Sequence, residues 1–137
     1  MADAKHLELL QASIQRLAGN GLAIKGWSIT LLTAILGAAI KEHDAAYALC
    51  GLGPIWIFWT LDAYYLALER GFRRKYEDAA TLARGGKAPT FDMTPPALTA
   101  GTWLEALIAP SVLLSYGPAM GLLVAVAGVL VAGARGA

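Results

Sequence analysis

Apolar residues follow two kinds of pattern in the first half of the chain, and both predict helices. In residues 4–18 they recur every three or four positions, which is typical of an amphipathic helix. Residues 21–40 and 46–68 are nearly continuous apolar runs, each about as long as the ~20 residues that cross a bilayer. Residues 41–45 form a short polar turn, so the two runs are expected to pair as an antiparallel hairpin. Pro54 predicts a kink in the second run.

The second half begins polar and ends apolar. Residues 69–101 predict a basic helix followed by a loop rich in glycine and proline. Residues 102–109 predict an interfacial helix, and residues 112–134 a third span that is tilted or bent at Pro118. The predicted fold class is therefore all-α, an integral membrane protein with a hairpin and a C-terminal span. Its four segments are 1–20 (cytoplasmic amphipathic helix), 21–68 (transmembrane hairpin), 69–101 (cytoplasmic helix and loop) and 102–137 (interfacial helix and third span).

Composition supports insertion in a membrane and argues against a nucleic-acid-binding protein. Hydrophobic residues make up 57% and charged residues 15%, against roughly 45–50% and 25% in soluble domains. The net charge of +1 is too small to attract nucleic acid through the overall charge of the chain. No short apolar core follows a basic start, so no cleavable signal peptide is expected.

Basic residues predict the orientation. The turn carries Lys41, whereas Lys5 and Arg16 precede the first span and four basic residues follow the second. The positive-inside rule therefore places the N-terminus in the cytoplasm and, after three crossings, the C-terminus outside it. The cluster after the second span has this topological role, and binding of anionic lipid headgroups is a further interpretation. Its members are Arg70, Arg73, Arg74 and Lys75.

Two cross-helix ion pairs are predicted from distances along the hairpin. Lys25 and Asp62 are about equally far from the turn, so antiparallel helices place them at one depth inside the apolar layer. Arg16 and Glu69 are also about equally far from the turn, nearer the cytoplasmic side than the first pair. Three roles are open for Lys25 and Asp62: a structural pair that fixes helix register, a site for a proton or ion, or a ligand or headgroup site.

The third span carries a face of small residues that favours close packing with another helix. Three spans make a small bundle in which to shelter Lys25 and Asp62, so a homo-oligomer is expected. The face consists of Gly121, Ala125, Gly128 and Ala132.

Catalytic and metal-binding motifs are absent from the sequence. There is no HExxH, no phosphate-binding loop, no nucleophile elbow and no dinucleotide fingerprint. The two histidines, His6 and His43, are predicted on opposite sides of the membrane. The single Cys50 excludes an intrachain disulfide and is interpreted as a packing residue. We therefore expect no catalytic residues, no metal and no cofactor.

Several segments together resemble a family of small uncharacterised bacterial membrane proteins with three spans. The resemblance implies two close N-terminal spans, a cytoplasmic insert and a C-terminal span, in the bacterial inner membrane, and it implies no activity. In layout the chain is also similar to two-span membrane effectors of bacterial antiviral systems, which implies a pore or membrane-disrupting role. The matching segments are RLAGN at 16–20, KGWSIT at 25–30, FWTLDAYYLALERGFR at 58–73 and FDM at 91–93, with Ser111, Tyr116 and Gly117.

The predicted function is a non-enzymatic homo-oligomeric assembly that serves as an anchor, a sensor or a pore-type effector. The alternative is a small channel or transporter subunit that uses Asp62. The expected partners are the lipid bilayer, further copies of the chain and an unidentified protein. A polar lining along the oligomer axis would favour conduction, and a sealed apolar axis would favour the scaffold or sensor.

Overall fold

The computed structural model describes residues 2–87 and 92–136, and the regular secondary structure of these residues is entirely helical. Two long helices come first, α1 (Ala2–Glu42) and α2 (Ala45–Arg84). A short helix α3 (Ala100–Leu107) and a longer α4 (Pro110–Gly136) follow. The all-helical prediction is confirmed. Phe91, in the FDM segment, lies outside the described residues.

The long helices join segments that differ in polarity. The 41 residues of α1 extend over about 62 Å, roughly twice the thickness of a hydrocarbon core. The predicted amphipathic helix and first apolar run thus form one continuous rod. The predicted basic helix after residue 68 likewise continues the second apolar run, because α2 extends without interruption from Ala45 to Arg84. Pro54 and Pro118 lie inside α2 and α4 and end neither helix.

A two-residue turn reverses the chain between α1 and α2. His43 takes the left-handed conformation that commonly ends a helix, with φ of 51°. Asp44 then caps α2, and its carboxylate accepts a hydrogen bond from the Ala46 amide at 2.9 Å. Residues equally distant from the turn consequently lie opposite one another, as Ala39 and Ala48 do in the same buried cluster.

Of the three buried clusters in the described residues, two divide the molecule along the length of α1 and α2, and the third joins the middle of α2 to α3. The first, which we call the turn-side core, combines these helices with α4. The second, the terminal core, lies near the N-terminus of α1 and the C-terminus of α2. The turn-side core consists of Ala39, Ala48, Ile55, Val112, Tyr116, Leu123 and Ala127, and the terminal core of Leu10, Ile14, Leu17, Phe72 and Ala79.

The short helix α3 lies against the middle of α2. Thr99 caps it through a reciprocal capping box with Thr102. The Trp59 indole donates to the carbonyl of Leu107 at 2.9 Å, and the Trp103 indole donates to the carbonyl of Thr60 at 3.4 Å. These two bonds fix the height at which the chain enters α4.

Candidate functional site

An ion pair between Lys25 and Asp62 lies where α1, α2 and α4 meet. Lys25 Nζ donates to Asp62 Oδ2. The Asp62 side chain is 2% exposed and that of Lys25 is 25% exposed, so the carboxylate is enclosed while the ammonium keeps an opening. Ser28, one turn further along α1, is also buried and donates to the Lys25 carbonyl at 2.7 Å. The structure thus brings together the two residues that the sequence singles out.

Tyr116, which is not among the predicted site residues, completes this polar group from α4. Its ring is fully buried and stacks on Trp59, with centroids 6.3 Å apart and planes 10° apart. Its hydroxyl faces Asp62 and Ser28, at a geometry that falls short of a hydrogen bond to either. Within residues 2–87 and 92–136, no hydrogen-bond partner satisfies that hydroxyl. A tyrosine in an apolar run is more often a packing residue, and its match to the resembling family carries no role, so the sequence did not link it to Asp62.

A groove of about 330 Å³ leads to the ion pair from the side of the molecule. Gly21 forms part of its wall, and a β-carbon at Gly21 would lie 3.1 Å from Asp62 Oδ1. A larger side chain there would therefore crowd the carboxylate. Glu69 and Ser111 line the groove together with Lys25 and Asp62, among apolar side chains of α1 and α2. The site is consequently polar at its base and accessible along one side.

The second predicted pair, Arg16 with Glu69, does not form an ion pair among the described residues. Glu69 Oε1 instead accepts from Arg73 Nε at 2.9 Å and from Arg73 Nη2 at 2.7 Å. Arg16 is exposed. Arg73 is one turn away from Glu69 on the same helix, so this pair forms whatever the position of α1.

The predicted headgroup cluster divides into three environments. Arg70 and Arg74 are exposed on α2, and Arg73 is paired with Glu69. Lys75 points the other way, with a side chain that is 24% exposed. Its ammonium donates to Asp92 Oδ2 at 2.9 Å and to the Thr94 carbonyl at 2.6 Å. Lys75 therefore holds the chain after α2 and is less exposed than Arg70 and Arg74.

Residues 92–98, which we call the strap, run back along α2 from this contact. Asp92 accepts from the Thr94 amide at 2.9 Å, which closes an Asx turn. Pro96 then packs on Gly71, where a β-carbon would lie only 2.4 Å from the proline ring. On the α1 side, buried His6 donates through Nε2 to the Asp92 carbonyl at 3.2 Å. The strap thus ties the ends of α1 and α2 together.

Asp92 is the charged centre of the strap. Hydrogen bonds from Thr94, followed by the hydrogen bond and charge of Lys75, hold the pKa of the Asp92 carboxyl well below its usual range. Asp92 falls in the predicted loop between the second helix and residue 102. An aspartate two residues before a threonine and followed by two prolines does indicate a local turn, but the identity of Lys75 as its partner depends on the path of the loop.

The predicted small-residue face of α4 is exposed in the single chain. The side of α4 that packs against α1 and α2 carries larger residues, Val112, Tyr116 and Leu123 among them. The threonine and glycine stripe of α1 also points outward, at Gly26, Thr30, Thr33 and Gly37. The exposed residues of the α4 face are Gly121, Ala125, Gly128 and Ala132.

Other parts of the described chain bring fewer polar or titratable side chains together. A groove of about 700 Å³ near the turn is lined mainly by apolar side chains, with Cys50 on its wall. No group of three or more potential metal ligands occurs in residues 2–87 and 92–136. The chain matches no protein-family model, no curated protein and no solved structure, so the site is interpreted from its own geometry.

Proposed function

We propose that the protein is a non-enzymatic, multi-pass protein of the bacterial inner membrane that forms a homo-oligomeric helical assembly. In this role it acts as an anchor, a sensor or a pore-type effector. The observation that carries the proposal is the apolar outer surface of α1 and α4. Both are long and apolar enough to cross a membrane, yet only 11% of the most apolar window of each is buried.

This exposure supports membrane insertion over a soluble helical domain. The core helix of a soluble protein has its apolar residues covered by other parts of the chain. Here large apolar side chains point outward at Leu22, Ile29, Leu114 and Val129, with exposed fractions of 63–75%. Exposed apolar side chains in this number favour lipid or another protein surface around them.

Three crossings follow if α2 spans together with α1 and α4. α2 is less apolar and is not among the helices that qualify by hydropathy in the described chain. Its outward residues on the turn side are nevertheless apolar, including Leu49, Trp56 and Ile57. Its close packing on α1 and α4 carries it into the same layer. The basic residues at the far ends of α1 and α2 favour a cytoplasmic N-terminus.

Reporter fusions test the topology. A reporter active only outside the cytoplasm should give signal when fused after Ala137 and none when fused after Gly85. Fusion at His43 should also give signal, because the turn is expected on the outer side. The opposite pattern at all three positions would overturn the orientation, and recovery of the chain in the soluble fraction would overturn membrane insertion.

Exposed small-residue faces support the homo-oligomer. In hydrocarbon, helices associate chiefly through close van der Waals packing, which small residues permit. The faces of α1 and α4 defined above are directed away from the chain's own core. A second copy of the chain therefore fits either face without repacking the turn-side core.

Within this assembly we assign Lys25 and Asp62 the role of a structural pair that fixes the register of α1 and α2. A buried carboxylate needs a partner in apolar surroundings, and Lys25 supplies it. An ion pair buried in this way is best attested as a device for specificity of packing. The double-mutant cycle described in the Discussion tests this assignment.

The alternative function is a small channel or transporter subunit that uses Asp62. The Tyr116 hydroxyl beside Asp62 favours it, since an intramembrane carboxylate next to another proton-carrying group is typical of proton relays. Asp62→Asn and Tyr116→Phe should then fold normally and abolish proton or cation flux into liposomes. Equal flux in the wild type and both variants would exclude this alternative.

A further inference from the structure

The groove beside Lys25 lies at the depth of the lipid headgroups, if the chain spans the membrane as proposed above. Asp62 is 18 residues beyond Asp44, which corresponds to about 27 Å along the helix. Glu69 is seven residues further, at about 37 Å. With the polar turn at one surface, a hydrocarbon core of ~30 Å ends between these two levels. The groove therefore extends from the edge of the hydrocarbon into the headgroup layer.

Two charged groups in the groove have hydrogen-bonding capacity left over. The Lys25 ammonium has three donors, uses one on Asp62, and remains 25% exposed. Glu69 accepts both bonds from Arg73 on Oε1. Its Oε2 accepts no hydrogen bond from the part of the chain that the structure describes. The groove thus offers a cationic donor at its inner end and an anionic acceptor at its outer end.

We propose that this groove binds the headgroup of a zwitterionic phospholipid with a primary ammonium, phosphatidylethanolamine. A phosphate is attached directly to the glycerol, and the ammonium lies beyond it, nearer water. With the acyl chains directed toward the membrane centre past exposed Ile29, one turn beyond Lys25, the phosphate meets Lys25 and the ammonium meets Glu69. The order of charges in the groove matches the order of charges in the lipid.

Charge balance favours a zwitterion over an anionic lipid in this position. Lys25 is neutralised by Asp62, and Glu69 by Arg73, so the groove is close to neutral. An anionic lipid would add a phosphate charge without bringing a cation for Glu69. A phosphatidylcholine headgroup has the same charges, but its quaternary ammonium has no N–H to donate to Glu69 Oε2.

Lipid retention by the full chain in nanodiscs tests the proposal. Native mass spectrometry would compare phosphatidylethanolamine, phosphatidylcholine and phosphatidylglycerol, with inorganic phosphate as a competitor. We expect phosphatidylethanolamine to be retained about tenfold more tightly than phosphatidylcholine, the effect of one charge-assisted hydrogen bond. Equal or tighter retention of phosphatidylglycerol would overturn the proposal. Displacement of the lipid by inorganic phosphate would identify a free-anion site and would also overturn it.

Two variants locate the site, and a third provides the matched control. Ser111→Phe places a ring in the groove from the exposed first turn of α4, and should abolish the preference. Ser115→Phe, one turn further on and outside this groove, should keep it. Glu69→Gln leaves the groove open and should reduce the tenfold preference to about equality. A preference that survives both Ser111→Phe and Glu69→Gln would overturn the site.

Membrane fractionation keeps this inference separate from the proposed function. Wild-type chain that resists alkaline extraction from membranes but shows no lipid preference would overturn the headgroup site alone. Wild-type chain that is released by alkaline extraction would overturn membrane insertion, and with it the headgroup site.

Discussion

The two ends of the α1–α2 pair differ in which side chains they enclose and which they expose. In the turn-side half, apolar side chains face outward and the charged pair of Lys25 and Asp62 is enclosed. In the terminal half, apolar Leu10, Ile14 and Phe72 are enclosed, and charged side chains such as Arg74 face outward. Along the same two helices, the outer surface changes from apolar to charged within the two turns between Asp62 and Glu69.

With the turn-side half in the membrane, as proposed, this difference follows from the surroundings of each half and not from the helices themselves. In water, burial of apolar surface drives the packing, so the terminal core resembles that of a soluble helical protein. In hydrocarbon that driving force is absent, and polar groups gain from being enclosed with partners. A third element completes each half: α4 covers the turn-side half, and the strap covers the terminal half.

The largest expected effect is loss of one partner of the enclosed pair. Lys25→Met or Asp62→Leu alone leaves one charge without compensation, so each should lower the free energy of unfolding by about 3–5 kcal/mol. The double variant should recover much of this loss, because two apolar side chains need no partner. Thermal unfolding of the four proteins in one detergent gives the coupling energy.

The matched control for this cycle is the exposed pair of Lys5 and Glu8 in the terminal half, 3.6 Å apart. Lys5→Met and Glu8→Leu should show a coupling below about 1 kcal/mol, as for other surface pairs. Equal coupling energies for the two pairs would contradict the claimed difference between an enclosed pair in the turn-side half and an exposed pair in the terminal half. A coupling of zero between Lys25 and Asp62 would contradict the structural pair.

The outward small-residue face allows the next prediction. A β-carbon at Gly128 would meet no atom within 4 Å in the single chain, so Gly128→Leu should leave the monomer folded. It should weaken association by roughly 1–3 kcal/mol per contact through overpacking between copies. Mass in nanodiscs measures this. Val129→Leu, on another face and 70% exposed, is the control, and unchanged mass in both variants would show that the Gly128 face contacts lipid.

Strap docking should be sensitive to a single methyl group at Gly71. The added β-carbon would lie 2.4 Å from Pro96, so Gly71→Ala must displace the strap and should cost about 1 kcal/mol, the lower end of overpacking effects. Hydrogen exchange of the strap should increase in the variant. Gly19→Ala, in α1 with open space around it, should instead stabilise by about 0.5–1 kcal/mol. Unchanged exchange in Gly71→Ala would contradict the contact.

The smallest expected effect is a pH dependence confined to the strap. Because the pKa of Asp92 is lowered on folding, its contribution to stability is present above the ordinary value of 3.8 and is lost as the pH falls below it. Hydrogen exchange of the strap, corrected for intrinsic rates, should therefore rise at low pH while the turn-side half stays protected. Asp92→Asn should remove this dependence, and Asp78→Asn, an exposed carboxylate on α2, should keep it. Identical profiles for the two variants would contradict the assignment to Asp92.

The sequence by itself determined the helices and the heights of residues along them. Continuous apolar runs and their polar boundaries marked the long helices, and counting from the turn placed Lys25 level with Asp62. This works because the rise of an α-helix is constant, so sequence distance converts directly into axial distance.

The tertiary structure decided which side of each helix is turned inward and which distant groups meet. Tyr116, and not the face containing Gly128, is turned toward α1 and α2. Glu69 is paired along its own helix with Arg73, and Lys75 with Asp92 in the strap. A helix with apolar residues all round carries no signal for its rotation, and a loop carries no regular spacing. The rotation of a helix and the path of a loop both depend on packing between residues far apart in the chain. Counting residues along one helix gives no information about that packing.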